Sequence, residues 1–216
     1  MDIGYIAIVI GVILVSMTLH EAMHAFVSYW LGDNTAKDQG RLTLNPVKHI
    51  DPLLTILLPV MLALVPGAPI FGGAKPVPFN PNLVRGGEWG AALVALAGPL
   101  TNLLIAFVVF GVGVLSGVIT PAGFEMSLLG TIILTGVLVN LGFFVFNMLP
   151  IPPLDGSRVI YALAPDFVRR GMEVVESFGI FVIFAIVLLA GTLIGSLMSA
   201  SIEEILNLFT VAFRLS

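Results

Sequence analysis

From Ile3 to Leu31 the chain is apolar enough to cross a bilayer, yet this stretch contains Thr18-Leu19-His20-Glu21-Ala22-Met23-His24. At 1.5 Å per residue a helix of this length reaches about 43 Å, more than the roughly 30 Å of a hydrocarbon core. Positions four apart share one helical face, so the imidazoles of His20 and His24 can reach a single metal ion. Glu21, beside the first of them, is placed to take a proton from water at that metal. The other reading of such a pair is two histidines bonded to neighbouring helices. Ionisable groups inside a membrane are costly and usually functional, and three of them within five positions weaken that reading. His20 and His24 are also two of only three histidines among the 216 residues.

Composition agrees with a membrane setting. The chain is 58% hydrophobic and 10% charged, against about 25% charged in soluble domains. A net charge of −4 without a basic run excludes a nucleic-acid partner. Cysteine is absent, which removes disulfides and thiolate metal ligands. The apolar start lacks a basic segment and runs straight into the histidine motif, so it is not read as a cleavable leader.

The expected fold is an all-α polytopic membrane protein of 4–6 transmembrane segments, forming a single domain over residues 1–216. The motif helix covers 3–31 and ends at Gly32-Asp33-Asn34. The loop after it carries Lys37, Arg41 and Lys48, which places it, and the metal site near it, towards the cytoplasm. Residues 53–65 are apolar, short for a crossing and interrupted by Pro59. Residues 67–87 include Phe71 to Pro81 (FGGAKPVPFNP), too rich in Gly and Pro for a helix. They read either as an extended segment partly embedded beside the site or as a surface loop. Spans follow at 89–118, 126–149 and 172–198. The tail 201–213 puts Ile202, Ile205, Leu206, Phe209 and Phe213 on one face, as in an amphipathic helix lying along the interface.

A catalytic zinc site takes three protein ligands, so a third is needed. Asp155, in Pro152-Pro153-Leu154-Asp155-Gly156, lies at the end of a span on the same side and at similar depth as the histidines. Taken alone, it reads more readily as the N-cap of a helix starting at 157. His49 is the rival ligand, in a loop between Pro46 and Pro52. Asn102 and Asn147 are amides in apolar helices near that face. They can hold substrate or an oxyanion, or simply bond neighbouring helices; Asn140 reads as structural.

Three stretches together carry a resemblance: His20 to His24, Gly98-Pro99-Leu100-Thr101-Asn102, and Asn147-Met148-Leu149-Pro150-Ile151-Pro152-Pro153-Leu154-Asp155-Gly156. In this order and separation the chain resembles the site-2 proteases, intramembrane zinc metalloproteases. The resemblance implies one catalytic Zn2+ held by His20, His24 and Asp155, with Glu21 as general base. It implies that Asn147 positions substrate or stabilises the oxyanion, and that Asn102 lies near the site. Substrates would be transmembrane helices of membrane proteins, such as anti-sigma factors or membrane-tethered regulators, cut in a prokaryotic plasma membrane. The segment at 71–81 resembles the family's membrane-associated β segment and would pair with substrate by strand addition. The chain departs from relatives in starting directly with the motif helix and in leaving no room for a PDZ or CBS domain. The competing class is a non-proteolytic metal-binding membrane protein or a divalent-metal transporter. Polar residues clustered at one depth and the lack of an inverted repeat argue against transport.

Overall fold

A computed structural model describes residues 3–57 and 73–215. Four helices in it are long and apolar enough to cross a membrane: Ile3–Trp30, Gly87–Leu115, Leu128–Asn147 and the Leu189–Ala212 part of the last helix. The protein is thus an all-α polytopic membrane protein. In chain order the helices are α1 (Ile3–Trp30), α2 (Thr35–Asp38), α3 (Gly87–Leu115), α4 (Leu128–Asn147), α5 (Gly156–Leu163), α6 (Asp166–Ser177) and α7 (Ile180–Ala212). Short turns at Pro46–Lys48 and Pro52–Leu57 lie between α2 and α3. A two-stranded antiparallel sheet, β1 (Ile119–Thr120) and β2 (Gly123–Phe124), closes the α3–α4 turn.

Helix α3 is the centre of the bundle, packed on α1 on one side and α4 on the other. Its outward face carries Leu93, Leu100, Leu104, Val108 and Val112, all exposed. On a soluble protein such a stripe would be a liability, but in a bilayer it meets lipid. The ends are fixed by named contacts. Helix α1 stops at Gly32, whose φ of +106° suits glycine, and Asp33 N–H returns to Ser28 C=O at 2.9 Å. Arg85 then binds the last carbonyls of α1: its Nη2 donates to Trp30 C=O at 2.7 Å and its backbone N–H to Leu31 C=O at 2.8 Å. The start of α3 is thereby pinned to the end of α1. Helix α4 opens on Ser127, whose hydroxyl accepts from Gly130 N–H at 3.1 Å.

The last third of the chain departs from the sequence reading. In place of one span at 172–198, residues 166–177 form a separate helix, Gly179 turns the chain with φ +54°, and α7 begins at Ile180. The backbone is broken again at Ala190 (φ −127°, ψ 15°). The apolar face predicted for 201–213 is real, but it does not lie along the interface. Ile202, Ile205, Leu206, Phe209 and Phe213 pack on Ala106 and Phe110 of α3 and Ile133, Val137 and Leu141 of α4. Helical periodicity reveals a buried face without revealing what buries it. Of the segment expected at 53–65, residues 58–65 lie outside the described residues, as do 67–72 of the expected extended segment. Residues 73–80 carry neither helix nor strand.

Phe110 is buried against Phe209 with ring centroids 5.5 Å apart. Phe110→Ala should destabilise the protein by about 3–5 kcal/mol, a cavity no neighbour can fill. Leu104→Ala, on an outward side chain 61% exposed, should cost less than about 1 kcal/mol. Reversible unfolding in mixed micelles measures both.

Candidate metal centre and active-site cavity

Helix α1 brings His20 and His24 to the interior side by side, their Nε2 atoms 3.0 Å apart. Asp155 Oδ2 lies 3.2 Å from His20 Nε2 and 3.5 Å from His24 Nε2. Among the described residues these three form the group that can hold a metal ion, its ligand atoms all within 4.8 Å of one another. A tetrahedral zinc ion with ligands at about 2.0–2.1 Å would set its ligands about 3.3 Å apart. The observed separations of 3.0, 3.2 and 3.5 Å bracket that value. The nitrogen and oxygen donor set also suits zinc.

Hydrogen bonds decide which imidazole nitrogens are bare. Asn140 Nδ2 donates to Gly136 C=O (2.8 Å), which can only accept, and to Ser16 Oγ (2.9 Å). Its Oδ1 therefore faces Asn102 and accepts from Nδ2 at 2.9 Å. That leaves Asn102 Oδ1 to accept from His20 Nδ1–H at 2.5 Å. His24 Nδ1–H donates to Val94 C=O at 2.7 Å. Each ring therefore carries a proton on Nδ1, so in the neutral form each Nε2 lone pair faces Asp155 and the ion position, as second-sphere partners of a metal site require.

Backbone glycine makes the room. A Cβ on Gly98 would lie 2.4 Å from His24 Nε2 and 2.6 Å from His20 Nε2, so α3 can approach the ligands only as glycine. This cradle is a second sign that the residues fit an ion. Gly156 does the same for the third ligand: a Cβ there would meet Met148 C=O at 2.4 Å. The 150–155 turn, with its Pro152–Pro153 peptide cis, thus folds back on the end of α4. Asp155 occupies the N-cap position of α5 but makes no capping hydrogen bond. Its carboxylate is directed to the histidines instead, which removes the N-cap reading.

A cavity of about 490 Å³ opens on these groups, lined among others by Glu21, Asn147, Phe143, Ala74, Arg158 and Glu176. Glu21 Oε2 accepts from Val77 N–H at 2.7 Å, so the segment 73–80 holds the carboxylate at the cavity wall. That segment is itself tied down along its length. Thr55 Oγ1 donates to Gly73 C=O, Lys75 N–H to His49 C=O, and Asn80 N–H to Asp33 Oδ2 at 2.6, 2.9 and 2.7 Å. Burial works to raise the Asp33 carboxyl, but hydrogen bonds from the Thr35 hydroxyl, Asn80 N–H and Thr35 N–H outweigh it and hold it below the usual range.

His49 is not a ligand in this arrangement. Its Nε2–H donates to Thr43 C=O at 2.8 Å and its Nδ1 faces Arg41 Nη2 at 3.5 Å, which folds the loop before the segment. Asn147 lines the cavity and spends one N–H on Phe143 C=O at 3.0 Å. Of the two sequence readings of Asn102, the geometry favours bonding to neighbouring helices over holding substrate: it is 0% exposed, does not line the cavity, and bonds His20 and Asn140. It stands behind His20, where it can position that imidazole.

Sequence reasoning missed the roles of Gly98 and Val94 C=O: a glycine reads as helix packing, and a carbonyl has no sequence signal at all. Asn140 is structural as expected, bonding Asn102 and Ser16 across helices. Asn102→Ala should weaken zinc binding by about 10–100-fold, measured by competition with a chelator. Gly98→Ala should lose stoichiometric zinc while far-ultraviolet circular dichroism stays unchanged.

No family model matches the chain, and no solved structure matches it. Among curated proteins it is 41% identical over 207 residues, 94% of its length and 90% of the relative's, to "Putative zinc metalloprotease YwhC" of Bacillus subtilis. It is 29% identical to "Putative zinc metalloprotease Rip2" of Mycolicibacterium smegmatis, over 86% of this chain and 68% of that one. The protein of the same name from Mycobacterium tuberculosis is 30% identical over 89% of this chain and 70% of its own. With its ligand trio, its apolar helices and this similarity along almost its whole length, the chain belongs to the site-2 protease family of zinc metalloproteases.

Proposed function

We propose that the protein is an endopeptidase of the site-2 type, hydrolysing peptide bonds within or next to transmembrane helices of membrane-protein substrates. The observation that carries this reading is the position of the ligand pair. His20 and His24 lie on a helix that is itself a candidate span, and with Asp155 and Glu21 they face one cavity. A site built there is reached by a polypeptide that is already in the membrane. By the positive charges of the 32–50 loop and of Arg158, Arg169 and Arg170, the site opens towards the cytoplasm.

His20, His24 and Asp155 would hold the ion, which supplies a Lewis acid and makes water acidic enough to ionise near neutral pH. Glu21, its carboxylate steadied by Val77 N–H, takes the proton as water adds to the scissile carbonyl carbon. It returns that proton to the amide nitrogen as the C–N bond breaks. Asn147, with an N–H not used by Phe143, donates to the oxygen on which negative charge develops. Buried Glu21 also argues against a purely structural or transporting metal site, which has no use for a carboxylate beside the ligands but outside the ligand group.

The segment 73–80 takes part in holding substrate, though less freely than strand addition suggests. Pro76 and Pro78 have no N–H, and those of Lys75 and Val77 are already given to His49 and Glu21. Along 75–78 no backbone N–H remains to donate. An unwound substrate would therefore donate its own N–H groups to carbonyls of this segment, a partial ladder rather than a full one.

The test is a purified, zinc-loaded protein in proteoliposomes with a single-span substrate, and mass spectrometry of the products. Cleavage inside or beside the apolar stretch is expected. Glu21→Gln should keep its zinc and lose about 10²–10⁴-fold in rate. A wild-type rate in that variant, or cleavage confined to unfolded soluble peptides, would contradict the reading.

A further inference from the structure

Helix α6 faces the wrong way for a helix packed on a protein. Its polar side is spent on α5: Arg158 pairs with Glu176, Tyr161 O–H donates to Glu173 at 2.5 Å, and Arg169 Nε donates to Tyr161 C=O at 2.9 Å. The Arg158 and Arg169 guanidinium groups also lie over the Tyr161 ring, at 5.6 and 5.3 Å. The opposite side is apolar and turned outward. Phe167, Val174 and Phe178 are 71%, 60% and 61% exposed, and no residue of α6 is buried. At 100° per residue Phe167, Gly171, Val174, Val175 and Phe178 fall on one continuous face.

We propose that α6 lies in the plane of the bilayer interface, with this face sunk into the boundary between headgroups and acyl chains. Three observations favour lipid as the occupant. The apolar face runs on into α7, whose first turn exposes Phe181 and whose body is a candidate span. Gly179, with φ +54°, supplies the sharp turn that a helix along the surface needs before one that enters the membrane. Arg170 flanks the apolar face, exposed and without an ion-pair partner among the described residues, where a guanidinium can reach anionic headgroups while its stem stays in apolar surroundings.

The position has a structural consequence for the cavity. Arg158 and Glu176 both line it, and Arg158 stands one helical turn from Asp155. Seated in the interface, α6 holds that rim of the cavity at the level of the headgroups. This inference needs the protein to be in a membrane and does not depend on proteolysis.

The chain contains no cysteine, so single substitutions give unique labelling sites. Phe167→Cys, Val174→Cys, Phe178→Cys, Arg170→Cys and Ser177→Cys would each carry a small fluorophore on zinc-loaded protein in vesicles with anionic lipid. Spin-labelled acyl chains should quench positions 167, 174 and 178 at least about twofold more than 177, and aqueous iodide should show the reverse order. Strong iodide quenching at 167, 174 and 178 would overturn the proposal in favour of a solvent-facing helix. Weak quenching there by both agents would overturn it in favour of a covering protein, whether a second copy or a substrate. Because each substitution is at an exposed position, retained zinc in every labelled variant certifies the fold before quenching is read.

Discussion

Two bare imidazole nitrogens and a carboxylate oxygen, drawn to within 3.0–3.5 Å of one another inside an apolar bundle, are not a restful arrangement. Their lone pairs repel, and the apolar bundle around them screens that repulsion weakly. A cation among them would turn that repulsion into attraction, and the hydrogen bonds and glycines around the three groups serve to bring them together. The three groups come from two elements far apart in the chain, α1 and the turn before α5, so ion binding would be coupled to closure of the bundle.

The surrounding groups act on orientation more than on stability. The relay from Ser16 through Asn140 and Asn102 to His20 ties α1, α3 and α4 together at the depth of the site. Interhelical hydrogen bonds in membranes contribute only about 0.6 kcal/mol on average, so three such links do not account for the fold. What they do is remove alternatives: because Gly136 C=O can only accept, every amide in the series has one orientation, and His20 has one tautomer. Gly98 and Gly156 work in the same sense by allowing backbone where any side chain would collide with the ligands or with α4. Glu21 is held from a different direction, by a segment that neither helix nor sheet stabilises and that is fastened at Gly73, Lys75 and Asn80.

Much of the centre was legible in the sequence because metal chemistry demands particular side chains at particular spacing. Residues four apart on an apolar helix and an aspartate between helix-breaking prolines and a glycine point to one place. The distinction between a ligand and an N-cap for Asp155 was not legible, since both use the same carboxylate at the same position. Asn102 shows the limit more sharply. An amide in that helix suggested substrate or a neighbouring helix, and the fold selects the second, with the neighbour's imidazole as the partner. The end of the chain was hidden for a simpler reason. Phe167, Val168, Met172, Val174 and Val175 run into the apolar start of α7, so composition joins two helices that Gly179 separates. The Phe209 and Phe213 face likewise carried its own periodicity but no address.

The site depends on His20, His24 and Asp155 as the ligands, and zinc K-edge X-ray absorption of the protein in lipid reads their identity without relying on activity. The expected spectrum is that of a four-coordinate ion with two imidazoles and oxygen donors at about 2.0–2.2 Å. Outer-shell scattering from two rings, not three, should be present. Three imidazoles in the spectrum would bring in His49, and a coordination sphere of oxygen alone would exclude the α1 pair; either result would contradict the structure's central claim.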